Sequence, residues 1–136
     1  MVAMNTLDQL VYCSRSRLAP EEEASAMTDI VHIAAFLNAQ NSITGALTLQ
    51  DGVFVQVLEG TPTALDILML HLHFDERHEE IEVVARGQIE RRAFPAWGMT
   101  APARGRCEAL RRLIDSRSND LGAWRAAMGA LLAEPA

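Results

Sequence analysis

The chain has 136 residues, a net charge of −6 and two cysteines, with 22% charged against 49% apolar residues. This is the make-up of one soluble globular domain, able to bury roughly 68–70% of its unfolded surface and so to hold a core without disulfides or a structural metal. All twelve basic residues are arginine, which excludes Schiff-base and P-loop lysine chemistry, and the acidic balance argues against nucleic acid or anionic membrane as a partner.

Residues 9–14 (QLVYCS) alternate, with Leu10, Tyr12 and Ser14 on one face and Val11 and Cys13 on the other, as in a short strand. Pro20 followed by Glu21, Glu22 and Glu23 suits the first turn of a helix, where a missing N–H is harmless and the dipole favours acids. This helix is expected to run to about residue 40, with Met27, Ile30, Ala34, Leu37 and Asn38 as its inner stripe. SITGALTLQ and VFVQVLEG, joined at Asp51-Gly52, give the clearest hairpin signal, because that pair accepts the positive φ of a tight turn. Gly60, Thr61 and Pro62 read as loop, N-cap and first helical position of a second helix reaching about Arg77. IEVVARGQI reads as a further strand, and residues 96–101 as a short last one. The order β-α-β-β-α-β with an extra strand is the split-βαβ, ferredoxin-like pattern, an α+β sandwich with two helices on one face of an antiparallel sheet. Past PARGRC (102–107), Ala109, Leu110, Leu113 and Ile114 form one apolar stripe. Leu121, Trp124, Met128, Leu131 and Leu132 form another, predicting two amphipathic helices that extend the same domain.

Three polar residues sit where such a fold would bury them. The period of two places Gln56 with Phe54 and Leu58 in a strand that is apolar on both faces. A buried amide without partners costs roughly 1–3 kcal/mol, so either a polar group meets it inside or the strand is an edge and the amide faces solvent. Asn38 lies one turn beyond Ala34 on the inner stripe, and reads equally as a C-cap. Tyr12, the only tyrosine, is a core residue or a third member of this set. One phenol and two carboxamides around an apolar slot would suit a flat ligand with a polar edge. Arg77 and His78 close the expected second helix, where cations favour the dipole without any ligand. Arg91 and Arg92 read as a solvated surface pair. His32, His71 and His73 have no ligand geometry, so no metal is expected. Cys13 and Cys107 match no metal or redox spacing. Neither G-x-S-x-G nor G-x-G-x-x-G is present.

From Leu10 to about Met99 the chain resembles the BLUF domain, a flavin-binding blue-light sensor. The matching pieces are LVYCS at 10–14, FLNAQNSITGAL at 36–47, DGVFVQVLEG at 51–60, DERH at 75–78 and RRAFPAWGM at 91–99. The resemblance implies a βαββαββ sandwich with a five-stranded mixed sheet, two helices on one face and two C-terminal helices. Residues 1–101 would form the sensor and 102–136 a helical extension. It implies FAD as cofactor, Tyr12 and Gln56 as the photoactive pair, and Asn38 on the ring's carbonyl and imide edge. Ile30 and Leu72 would line the two ring faces, Arg77 and His78 would meet the ribityl and phosphate portion, and Trp97 and Met99 would be the pair that reorders with light. Gly98 and Leu72 stand where members often carry serine and isoleucine, and Ala34 where some members carry serine.

A phenol with an ordinary pKa near 10 is a poor proton donor in the dark, whereas an excited flavin can draw its electron and then its proton. Gln56 returning rotated or tautomerised would then change the hydrogen bonding and redden the absorption. The resemblance implies a photoreceptor, not an enzyme, signalling through contacts with a separate downstream protein, and it suggests a homodimer or higher homo-oligomer. The second helix carries two apolar stripes, Leu65-Leu68-Met69-Leu72 and Ile67-Leu70-Phe74. The second stripe or the tail, tested at Trp124, is the expected association surface, unless the tail merely covers that stripe. Two other classes compete: an acylphosphatase-like enzyme using Arg77 and Asn38 on a phosphate, and a regulatory module that has lost its flavin. Neither a signal peptide nor an apolar run of about 18 residues is apparent, so the cytoplasm is the expected compartment.

Overall fold

A computed structural model describes residues 6–94 and 107–133. They form β1 (Leu7–Ser16), α1 (Pro20–Gln40), β2 (Thr44–Gln50), β3 (Val53–Gly60), α2 (Pro62–His73), β4 (His78–Ile89), α3 (Glu108–Ser116) and α4 (Leu121–Ala133). Alanine at 19 has no side-chain acceptor for the first turn of α1, and the acidic run supplies the reciprocal bond instead. The Glu22 carboxylate accepts the Ala19 N–H at 3.1 Å. Asp51 and Gly52 take φ values of 49° and 80°, the left-handed pair that a two-residue hairpin needs. The Thr61 hydroxyl accepts the Ala64 N–H at 3.3 Å, capping α2 with Pro62 in its first turn.

The second helix stops at His73, short of the expected Arg77. Asp75 folds its carboxylate onto the Arg77 N–H at 3.0 Å, and the His78 ring meets the Leu72 carbonyl at 2.8 Å. These local bonds displace further helical ones. Arg77 therefore lies in a turn and His78 opens β4, so the helix dipole does not account for either.

The strand order is β2-β3-β1-β4, and every described pairing is antiparallel. Each helical crossover skips one strand position, so β1 and β2 run the same way with β3 between them. The described sheet is thus four-stranded and antiparallel; the expected fifth strand, which would make it mixed, falls at 96–101, outside the described residues. The inner strands are β1 and β3, which removes the edge-strand reading of Gln56. Gly45 in β2 permits the tight approach of β3: a Cβ there would sit 2.0 Å from the Val57 carbonyl oxygen.

Alternation divides the sheet's side chains between two cores. On one face Leu10, Tyr12, Leu47, Phe54 and Leu58 pack with Leu65 and Met69 of α2. On the other, Val11, Ala46, Val55, Val57 and Ala85 pack with Phe94 and with Leu110, Trp124, Met128 and Leu131 of the tail. The tail thus covers the bare face of the sheet and leaves the second stripe of α2 open. Trp124 is 0% exposed, whereas Ile67, Leu70 and Phe74 are 53%, 58% and 78% exposed. Trp124 is consequently a core residue and not a surface probe. Among the described residues no helix is long and apolar enough to cross a membrane.

Candidate functional site

Tyr12 and Gln56 face each other across the β1/β3 pair, with Leu47 of β2 on the other flank of Gln56. Both are buried. The Tyr12 hydroxyl donates to Gln56 Oε1 at 2.5 Å, which fixes the carbonyl end of the amide on the phenol. Burial raises the Tyr12 phenol well above the ordinary tyrosine value, the Asp75 carboxylate and Cys13 add to this, and the Arg77 cation opposes it.

The pair opens into a cavity of about 180 Å³ between this face of the sheet and the helices. Asn38, Leu72, Arg77 and His78 line it together with Tyr12 and Gln56, as the sequence reading expects. Asn38 is buried inside α1, and the C-cap is Asn41, whose N–H reaches the carbonyls of Asn38 and Ala39. Leu37, expected on the inner stripe, is half-exposed and lines the cavity. Ile30 belongs to α1, but its side chain is not among the described ones; Trp97 and Met99 lie outside the described residues.

His78 has both ring nitrogens engaged. Because a carbonyl only accepts, Nε2–H must donate to Leu72 O, and Nδ1 then meets the Ser14 hydroxyl at 2.6 Å. Its ring stands edge-on to Tyr12 and Phe54, with centroids 6.1 and 6.0 Å apart. Arg77 binds the Asp75 carboxylate through Nε at 2.9 Å and through its Nη2 at 2.5 Å. This bond lowers the Asp75 pKa and raises that of Arg77. The guanidinium is thereby held in place against Asp75.

Sequence reasoning missed Phe54, Leu47, Leu68, His71 and Asp75 as lining residues. Phe54 and Leu68 carried a signal, since they share a strand face with Gln56 and a helix stripe with Leu72. Asp75 stood in the DERH piece of the resemblance but was assigned no role, because what it does is hold a neighbour. Arg92 also departs from the surface reading: its Nη1 donates to Thr44 Oγ1 at 2.9 Å and to the Glu59 carbonyl at 3.1 Å.

Residues 7–100 match the family of sensors of blue-light using FAD, BLUF. Among curated proteins, photoactivated adenylate cyclase subunit alpha of Euglena gracilis is 34% identical over 93 residues, 68% of this chain and 9% of its own length. The chain therefore spans about a tenth of that relative. Among solved structures, BlrB, a BLUF protein in its dark state, superposes with a TM-score of 0.74 at 31% identity, covering 94% of this chain and 98% of that one. A bacterial light-regulated adenylyl cyclase gives a TM-score of 0.66 at 28% identity, covering 81% of this chain and 33% of that one.

Proposed function

Because the chain belongs to the BLUF family of blue-light sensors, we propose that Tyr12 and Gln56 are its photoactive pair, in a flavin site completed by Asn38, Ile30, Leu72, Arg77 and His78. The observation that carries this is the 2.5 Å bond from the sole tyrosine to a buried carboxamide on an inner strand. Apolar walls from Leu47, Phe54, Leu68 and Leu72, interrupted by one phenol and two carboxamides, suit a flat ring with a polar edge. FAD is the flavin we assign, from the family's description.

When bound, a flavin supplies a light-activated oxidant, the one chemical capacity these side chains lack. In the dark Tyr12 keeps its proton at Oη, because burial disfavours the phenolate. A phenol that loses an electron becomes strongly acidic, and its O–H already points at Gln56 Oε1. With flavin bound as the electron acceptor, the proton would move along that bond and return with the electron. Gln56 is the group that changes: turned by half a rotation, it presents Oε1 where Nε2 had been, an acceptor in place of a donor, and Nε2 toward Tyr12, a donor in place of an acceptor. With flavin bound, Asn38 would orient the ring edge, Leu72 and Ile30 would bound its faces, and Arg77 would offer the ribityl and phosphate portion the guanidinium edge that Asp75 does not occupy. His78 contributes its ring rather than its nitrogens.

One changed hydrogen bond is worth about 1 kcal/mol, whereas turning a 1:99 equilibrium into 99:1 takes about 5.5 kcal/mol. The amide must bias a bistable element, and we assign that role to the chain carrying Trp97 and Met99. A fifth strand at 96–101 is supported by its two tethers. The Phe94 N–H bonds Glu59, which pairs with Thr44 at the start of β2, and the Cys107 N–H bonds Gln50 at its end. In this reading residues 1–101 are the sensor, 102–136 its helical extension, and the output is a contact with a separate signalling protein in the cytoplasm, with no catalysis by this chain. Self-association is assigned to Ile67, Leu70 and Phe74, the apolar stripe left open.

Purified protein loaded with FAD should redden its absorption under blue light and recover in darkness. Gln56→Leu should bind flavin and remain folded without reddening. A normal photocycle in that variant would refute the mechanism, and mass analysis of the released flavin distinguishes FAD from FMN.

A further inference from the structure

The Glu59 carboxylate takes no part in the cavity, yet it is fully buried and gathers four donors from separate parts of the chain. Gln9 Nε2 and the Ala93 N–H bond its Oε2 at 2.9 and 2.7 Å; Thr44 Oγ1 and the Phe94 N–H bond its Oε1 at 2.9 and 3.1 Å. Gln9 and Thr44 are its cross-strand partners on β1 and β2, while Ala93 and Phe94 belong to the chain leaving β4. Charge-assisted bonds of this kind are among the stronger ones a sheet can hold.

The ladder ties this cluster to the photoactive pair. Tyr12↔Gln56 and Gln9↔Glu59 are rungs of one β1/β3 pairing. They lie three positions apart on β3, which places them on opposite faces and roughly 10 Å apart along the strand. Beyond the clamp, Phe94 is buried in the same core as Leu110, Trp124 and Met128 of the tail. A line of buried groups thus runs from Gln56 along β3 to Glu59, then through Phe94 into α3 and α4. Among the described residues Gln9 Oε1 is buried without a hydrogen-bond partner, while Nε2 of the same amide shares Glu59 Oε2 with Ala93.

Resting on the reading of Tyr12 and Gln56 as the photoactive pair, we propose that Glu59 is a positioning residue for the light response. It holds the chain leaving β4, through Ala93 and Phe94, to the strand that carries Gln56, so that a change at Gln56 reaches the tail helices through the sheet.

Hydrogen exchange on the full chain loaded with FAD, in darkness and under blue light, tests this. In the wild type, illumination should change exchange at Ala93, Phe94 and the amides of α3 and α4. Glu59→Gln sets an NH2 against a donor; it should redden normally, exchange on the order of tenfold faster at Ala93 and Phe94 in the dark, and lose the light-dependent change in the tail. Thr44→Val removes one donor while leaving both backbone bonds, and should redden normally with a reduced tail response, so the proposal does not depend on Glu59→Gln folding. A full tail response in a Glu59→Gln or Thr44→Val variant that still reddens overturns the coupling, as does a wild type that reddens with no tail response. A wild type that never reddens overturns the photoactive pair itself.

Discussion

At the scale of single residues, Tyr12 combines a chemical task with a measurable titration. Its hydroxyl is bonded to Gln56 and its folded pKa is raised by burial. The unfolded chain releases the phenolic proton near pH 10, while the folded one retains it. Above about pH 10 the folded state therefore binds more protons, and stability falls as pH rises; below that the contribution is fully present. Since the chain has one tyrosine, an alkaline titration of tyrosinate absorbance should show no ionisation near pH 10 until unfolding, and Tyr12→Phe should remove that part of the slope. The same substitution should retain flavin and lose or greatly weaken the reddened state. A tyrosine that titrates near pH 10 in the folded protein would contradict its burial against Gln56. Alternation placed Tyr12 and Gln56 each on a definite face of its own strand, but their pairing came from the family resemblance, because a period of two does not say which strands are neighbours. Glu59 was not legible: in VLEG it reads as an acid near a strand end, and its two backbone donors come from residues 34 and 35 positions away. His78 was legible as a cavity residue, but only the fold brings Ser14 and the Leu72 carbonyl to its two nitrogens.

At the scale of elements, the hairpin is the best-specified part of the chain. Asp51-Gly52 adopts the paired left-handed geometry that the dipeptide predicts. Gly45 adds a constraint that sequence reading left unmarked. With φ at 155° and the Val57 carbonyl 2.0 Å from where a Cβ would stand, Gly45→Ala should cost about 1–3 kcal/mol by forcing β2 from β3. Chemical denaturation checks this, and wild-type stability in the variant would show that the two strands can separate freely. Because Leu47 of β2 flanks Gln56, the same variant should also disturb the flavin spectrum. The end of α2 was misread because its pattern of apolar residues continues to Phe74, while the Asp75 and His78 bonds that stop it are invisible to periodicity. β4 correspondingly begins at His78 rather than at Ile81.

At the scale of the whole molecule, the two apolar surfaces singled out in the sequence have opposite fates. The tail stripe is sealed against the sheet, and Trp124→Ala should cost about 3–5 kcal/mol, read as a lowered denaturation midpoint. The second stripe of α2 is open, so Leu70→Glu should leave stability within about 0.5 kcal/mol of wild type while reducing any self-association seen by light scattering. Loss of stability in that variant with no change in mass would place Leu70 in a core instead. The sequence specified the amphipathicity of both segments but not their partners, because period alone cannot say which bare face a stripe will meet. The placement of Trp124 has a practical consequence. Its indole N–H donates to the Ser118 carbonyl at 2.7 Å, and the side chain is buried across the sheet from the proposed flavin. With Trp97, the other indole, replaced by phenylalanine, the remaining emission should be blue-shifted and shielded from soluble quenchers, an optical gauge of tail packing that needs no added dye.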